Sequence, residues 1–196
     1  MAEVLVLHAR LPSPVGEAAD GATRLLARLP YAYRLELESR APALRLASLA
    51  GLALLRTGAA RWRGVVPDPA CLEFPQGGKP RLPGGPHFSV AHSSARVAVA
   101  LCADCAVGID VEEIVDHAVA GDRLARQVAS EAALKACGAG LRGYDRLQLD
   151  DDLAVAQLDA TAAWLRPVEL AAGSVGWLAA LAPCRRVVIE AAVPEW

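Results

Sequence analysis

The sequence predicts an α+β protein in which helices and short antiparallel strands are grouped rather than regularly alternated. Three observations carry that expectation. The order of elements is strand, helices, strands, helix, strands, which differs from the βαβ alternation of a doubly wound sheet. Three short apolar segments rich in β-branched residues, Phe88 to Ala91, Val97 to Cys102 and Val107 to Val111, follow one another too closely for helices to intervene. No Gly-rich phosphate loop of the P-loop or dinucleotide-binding kind is present. No literal repeat is visible, yet each half of the chain offers helix and sheet.

Taken in order, Glu3 to His8, a short run with Val4, Leu5, Val6 and Leu7, reads as the first strand. Glu17 to Leu29 and Leu35 to Arg56 read as helices, interrupted by Pro30 and Pro42. Pro67 to Pro86 is rich in Pro and Gly and reads as a surface loop. The three short strands come next and are expected to be adjacent and antiparallel. Asp122 to Cys137 reads as a helix, with Gly138 at its C-terminal stop. Beyond it, Arg146 to Leu149, Val155 to Leu158, Ala162 to Val168, Val175 to Leu181 and Arg186 to Val193 read as strands.

Composition bounds the function. With 54% hydrophobic and 21% charged residues, the chain reads as folded. Its 196 residues suffice for one domain or two packed halves of about a hundred residues each. A formal net charge of −2 and a pI near 6.1 argue against nucleic acid as the main partner. The apolar run Leu46 to Leu55 is closed by Arg45 and Arg56, short of the roughly twenty residues of a membrane span. Leu170 to Cys184 is uncharged but broken by Gly173, Gly176 and Pro183. Glu3 stands where a signal peptide carries Lys or Arg, so a soluble, cytoplasmic protein without a membrane partner is expected. Five cysteines do not suggest a disulfide framework, and Cys102 and Cys105 read as a turn that carries thiols rather than as half of a zinc site.

Three segments carry candidate chemistry. Asp110 and Glu112 are two apart in a strand and share one face; they read either as a solvated strand end or as oxygen ligands of a hard cation such as Mg²⁺. Glu131 and Lys135 stand at i and i+4 on one helical face, as a surface ion pair or as a third carboxylate and a phosphate-binding cation. His92 ends an apolar strand next to Ser93, in a structural role or as a phosphate contact.

Together these segments resemble the 4′-phosphopantetheinyl transferases of the surfactin-synthetase-activating type. That family shows an F-S/N-x-S-H-S-like segment, a G-I-D-x-E segment, and a W-x-x-K-E-x-x-x-K helix with a G-x-G-L tail. Here Phe88–Ser93, Gly108–Glu112 and Ser130–Leu141 follow in that order, preceded by a matching Gly78-Lys79-Pro80. The resemblance implies two similar α/β halves related by a pseudo-twofold axis, residues 1–105 and 106–196, with CoA bound between them. It implies transfer of the 4′-phosphopantetheine group of CoA to a serine of an apo acyl or peptidyl carrier protein. Asp110, Glu112 and Glu131 would be Mg²⁺ ligands, Glu131 also the base for the serine hydroxyl, and Lys135 a pyrophosphate contact. Lys79, His92 and Ser93 would hold CoA, and Arg45 is the choice among the loosely matched N-terminal cations Arg34, Arg40, Arg45 and Arg56. The chain departs from the pattern at Ser130, where the family has Lys, at Gln127, where it has Trp, at Ala91, where it has Ser, and in a shortened stretch between Glu112 and Glu131. Those departures leave a second expectation, a catalytically weakened homologue that keeps CoA and serves as a complex partner.

Overall fold

The computed structural model describes the whole chain except Val65, Gln76, Gly77, residues 116–120 and the side chain of Arg63. It is a mixed α+β protein with two sheets. Strand β1 (Ala2–Arg10) leads into helices α1 (Glu17–Arg28), α2 (Tyr31–Ser39) and α3 (Pro42–Arg63). Strands β2 (His87–His92), β3 (Arg96–Cys102) and β4 (Val107–Glu113) precede helix α4 (Asp122–Cys137). The chain then forms β5 (Leu147–Leu149), β6 (Val155–Leu158), β7 (Thr161–Pro167), β8 (Ser174–Ala180) and β9 (Cys184–Ala191).

Sheet order is β2-β3-β1-β9 in the first sheet and β4-β8-β7-β6-β5 in the second. Neighbours are antiparallel except β1 and β9, which run parallel and carry a register shift at Ala2/Glu3. Alternation along the strands then sorts the core into layers. Leu7, Ala9, Val97, Val99 and Leu101 face the helices of the first half. Val4, Val6, Ala98, Ala100 and Cys102, on the opposite face, meet Val107, Ile109, Val111, Leu178 and Ala180 of the second sheet. The far side of the second sheet, with Ala163, Leu165, Trp177 and Ala179, packs on Val128, Ala129, Ala132, Ala133 and Ala136 of α4. The layers therefore run helices, sheet, sheet, helix.

Pro42 separates α2 from α3 because Ala41, preceding it, is held extended at φ −53° and ψ 143°. Pro42 itself opens α3 at a position where a missing N–H costs nothing, and Gly64 closes the helix in a left-handed turn at φ 71°. The helix continues past Arg56 to Arg63, so it is longer than its apolar run suggests. Its length and composition would suit a membrane span, but 67% of that window is buried inside the protein, as a core helix requires.

One expectation is corrected. β2 and β3 pair as antiparallel neighbours, but β4 leaves them and pairs with β8 in the second sheet. It still lies against β2, where the Ile109 N–H donates to Ser89 Oγ at 3.1 Å. The physical reason is that both faces of β4 need cover: Val107, Ile109 and Val111 go to the first sheet, and Gly108 and Asp110 lie under α4.

Gly108 sets that contact. A Cβ there would lie 1.9 Å from the Ala132 carbonyl oxygen and 2.5 Å from the Ala136 nitrogen, both helix backbone that cannot yield alone. Gly108→Ala is therefore expected to lower stability by about 2–3 kcal/mol through overpacking, read as a lower urea midpoint at an unchanged m-value.

Candidate functional site

A cleft of about 320 Å³ opens where β2, α2, the N-terminal half of α3, the Gly78–Pro80 turn and the C-terminal half of α4 converge. Its wall is mainly apolar, from Tyr33, Leu52, Phe88, Val90 and Leu134. Phe88, Val90 and His92 alternate along β2, so the strand that buries Phe88 also delivers His92 to the cleft. Four basic side chains join the wall: Arg40, Lys79, His92 and Lys135. The chain has twenty Lys and Arg, of which Lys79 and Lys135 are the only lysines, and both line this cleft.

Burial governs the electrostatics here. The Lys79 ammonium donates to the Val107 carbonyl. Burial, reinforced by the nearby Lys135 charge, brings its pKa down to about 8. Burial likewise lowers His92, with Lys135 and Arg40 acting in the same direction. An anion in the cleft would relieve both.

Asp110 and Glu112 occupy the face of β4 that carries Gly108, under α4. The Lys135 ammonium donates to Asp110 Oδ1 at 2.6 Å and to the Ile109 carbonyl at 3.2 Å. Asp110 Oδ2 is buried without a hydrogen-bond partner among the described residues. Burial raises the Asp110 pKa, and Lys135 opposes that rise by charge and hydrogen bond. Glu112 is raised by burial and then by the charges of Asp110 and Glu131. Glu131 accepts from Gln127 Nε2 at 3.4 Å and opens on a neighbouring hollow lined by Arg123, Arg126 and Tyr144.

Among the described residues no three His, Cys, Asp or Glu side chains stand ready to ligate one metal ion. The donor chemistry nevertheless fits a hard divalent cation, since the set is oxygen-only and includes a buried carboxylate oxygen lacking a partner. Lys135 supplies positive charge at Asp110 in this arrangement.

Sequence-expected residues fall into two groups. Lys79, His92 and Lys135 line the cleft, and Asp110 is tied to it through Lys135. Ser93 and Arg45 are not among the lining residues. Ser93 Oγ donates to Glu113 at 2.8 Å and accepts from the Arg96 N–H at 3.1 Å, which ties the β2–β3 turn. Arg45 directs its guanidinium to the Glu38 carbonyl at 3.5 Å. Arg40, at the end of α2, stands in the cleft instead and donates to Ser48 Oγ at 2.9 Å. Its signal in the sequence was slight: a cation at the α2 terminus, two turns of chain before a serine on the apolar helix. Ser130 is buried, and its hydroxyl donates to the Arg126 carbonyl at 2.8 Å, so this position faces the helix packing and not the cleft. The shortened stretch between Glu112 and Glu131 lies outside the described residues at 116–120.

No protein-family model matches the chain, and a comparison with curated proteins finds no match.

The Lys79 shift has a sign that can be measured. Its folded pKa of about 8 lies below the ordinary 10.5, so the unfolded chain retains the proton across that window and stability rises with pH there. Relative to Lys79→Met, the native protein should gain about 2 kcal/mol between roughly pH 7.5 and pH 9.5, measured by urea unfolding at each pH. Parallel profiles for the two proteins would mean that Lys79 is solvated in the folded state.

Proposed function

We propose that this protein is a Mg²⁺-dependent 4′-phosphopantetheinyl transferase that moves the phosphopantetheine arm of CoA to a serine of an apo acyl or peptidyl carrier protein in the cytoplasm. The observation that carries the reading is convergence. Lys79, His92 and Lys135 come from three separated segments and meet in one partly apolar cleft beside the Asp110 carboxylate. A cationic cleft with an apolar wall suits a ligand that is part phosphate and part organic chain. The same reading takes residues 1–105 and 106–196 as similar halves about a pseudo-twofold axis.

Arg40, Lys79 and His92 hold the phosphates of CoA, as charge-assisted donors whose own desolvation the ligand offsets. Lys135 contacts the pyrophosphate. Asp110, Glu112 and Glu131 would hold the Mg²⁺ ion, which when bound supplies charge neutralisation at the reacting phosphate. Glu131 removes the proton of the acceptor serine as its Oγ bonds to phosphorus. The bond from that phosphorus to the bridging oxygen breaks in line, and 3′,5′-ADP leaves with the electron pair. Transfer of this kind draws on positioning and electrostatics more than on covalent help from the protein.

A second reading is favoured by Gln127 and Ser130, which supply neither the aromatic ring nor the cation of the family pattern. In it the protein keeps CoA and acts as a partner in a complex without efficient transfer.

Two measurements test these readings. Titration calorimetry should show CoA binding that Mg²⁺ strengthens, and absence of binding with and without Mg²⁺ rules out both. With CoA, Mg²⁺ and a panel of apo carrier proteins, mass spectrometry should show the modified carrier, and Glu131→Gln should slow its appearance by about 10²–10⁴-fold while leaving the fold intact. CoA binding without modification of any carrier selects the second reading; normal turnover in Glu131→Gln removes Glu131 from the chemistry.

A further inference from the structure

Among the described residues Asp110 is the only charged residue that is buried. Its two oxygens are treated unequally. Oδ1 accepts from Lys135 at 2.6 Å, whereas Oδ2 has no partner among the described residues, although a buried carboxylate oxygen ordinarily requires one. Glu112 shares the Asp110 face of β4, and Glu131 shares the Lys135 face of α4. The crossing thus sets Asp110 and Glu112 of the strand opposite the helical face of Glu131, and among the described residues the Lys135 ammonium is the ion-pair partner of Asp110. That same ammonium lines the cleft that holds Lys79 and His92. Lys135 is one-third exposed, at 34%, while Asp110 is only 7% exposed, so the lysine is the partner with room to move.

We propose that Lys135 is a placeholder cation: it neutralises Asp110 until a divalent cation takes its place, and is then free to pair with an anion in the cleft. This rests on reading the cleft as the site of a phosphate-bearing coenzyme, and adds a linkage between that ligand and the metal. A metal ion arriving alone must displace an ammonium from its buried partner, and so binds weakly. An anion that draws Lys135 toward the cleft bares Asp110 and raises metal affinity. Because linkage is reciprocal, the metal raises anion affinity by the same factor, typically about 5–150-fold. Lysine suits this role better than arginine, since a compact ammonium on a flexible stem can exchange partners that a planar fork would grip at two points.

The test uses Mn²⁺ as the probe, followed by paramagnetic resonance in the absence of any coenzyme, on the full chain and two variants. Lys135→Gln keeps a donor for Asp110 but removes the charge, and Mn²⁺ alone should bind it at least about tenfold more tightly than the native protein. Lys79→Gln removes a cation from the same cleft that does not touch Asp110, and should change Mn²⁺ affinity less than about threefold. If Lys135→Gln proves unfolded in metal-free buffer, circular dichroism with millimolar Mn²⁺ should show its fold restored. Unchanged Mn²⁺ affinity in Lys135→Gln, an equal gain in Lys79→Gln, or an unfolded variant that Mn²⁺ does not rescue would each overturn the proposal. CoA titrated into the same samples separates the two ideas. A protein that gains Mn²⁺ affinity in Lys135→Gln but never binds CoA retains the placeholder and loses the coenzyme reading. A protein that binds CoA but shows no gain loses only the placeholder.

Discussion

Where α4 crosses β4, the Gly108 backbone lies beneath the Ala132 carbonyl with no space for a methyl group, and the site follows from that crossing. The close approach is possible because the helix presents Ala129, Ala132, Ala133 and Ala136 to the sheet in place of larger side chains. A helix held this near brings Lys135 within 2.6 Å of a strand carboxylate two residues beyond the glycine. A larger residue at the crossing would put its Cβ 1.9 Å from the Ala132 carbonyl oxygen, and the helix would have to move away from the strand that carries the Lys135 partner. The chemistry-bearing groups are thus held by packing between two rigid elements rather than by a loop, which is how precise sites are generally supported.

The cleft owes its character to dehydration. Tyr33, Leu52, Phe88, Val90 and Leu134 exclude water from one side, so each cation in the wall gives up part of its hydration shell. The depressed pKa of Lys79 and the lowered pKa of His92 express that loss. Such a surface is poorly satisfied when empty, and it favours a ligand that brings negative charge and carbon together. Elsewhere the chain uses arginine as its basic residue, and those ion pairs are mostly exposed, as between Arg61 and Glu190 or Arg186 and Glu3. Pairs of that kind contribute little to stability, and their geometry is correspondingly permissive.

Local elements were legible in the sequence, and long-range pairings were not. Asp122 to Cys137 was readable because the apolar face, the absence of Pro and the closing Gly138 agree. The strand from Val107 was readable for its β-branched alternation, but the sheet it joins was not, because that choice depends on β8, far along the chain. Candidate residues divide in the same manner. Lys79, His92 and Lys135 lie in segments whose order carried a recognisable pattern, and they share a cleft. Arg45 and Arg40 differ only in how α2 and α3 turn at Pro42, a tertiary matter that helical periodicity does not register. Ser130 illustrates the limit of reading a helix as a face. It adjoins Glu131 in sequence yet points into the packing, since successive helical residues are about 100° apart.

The parallel pairing of β9 with β1 joins the two ends of the chain in one sheet. During synthesis on the ribosome, β1, β2 and β3 emerge early, but the edge of β1 that β9 covers stays open until nearly all of the chain has been translated. Folding of the first sheet is thereby tied to completion of the second, whose five strands come between. Such non-local closure slows folding and leaves a hydrogen-bonding edge exposed while the chain grows. It also means that the first sheet cannot be produced whole from a contiguous half of the sequence, whereas the second, built from β4 to β8 alone, can. Splitting the gene between β3 and β4 would strand β9 with the wrong fragment, and the first sheet would close only once the two pieces had found each other.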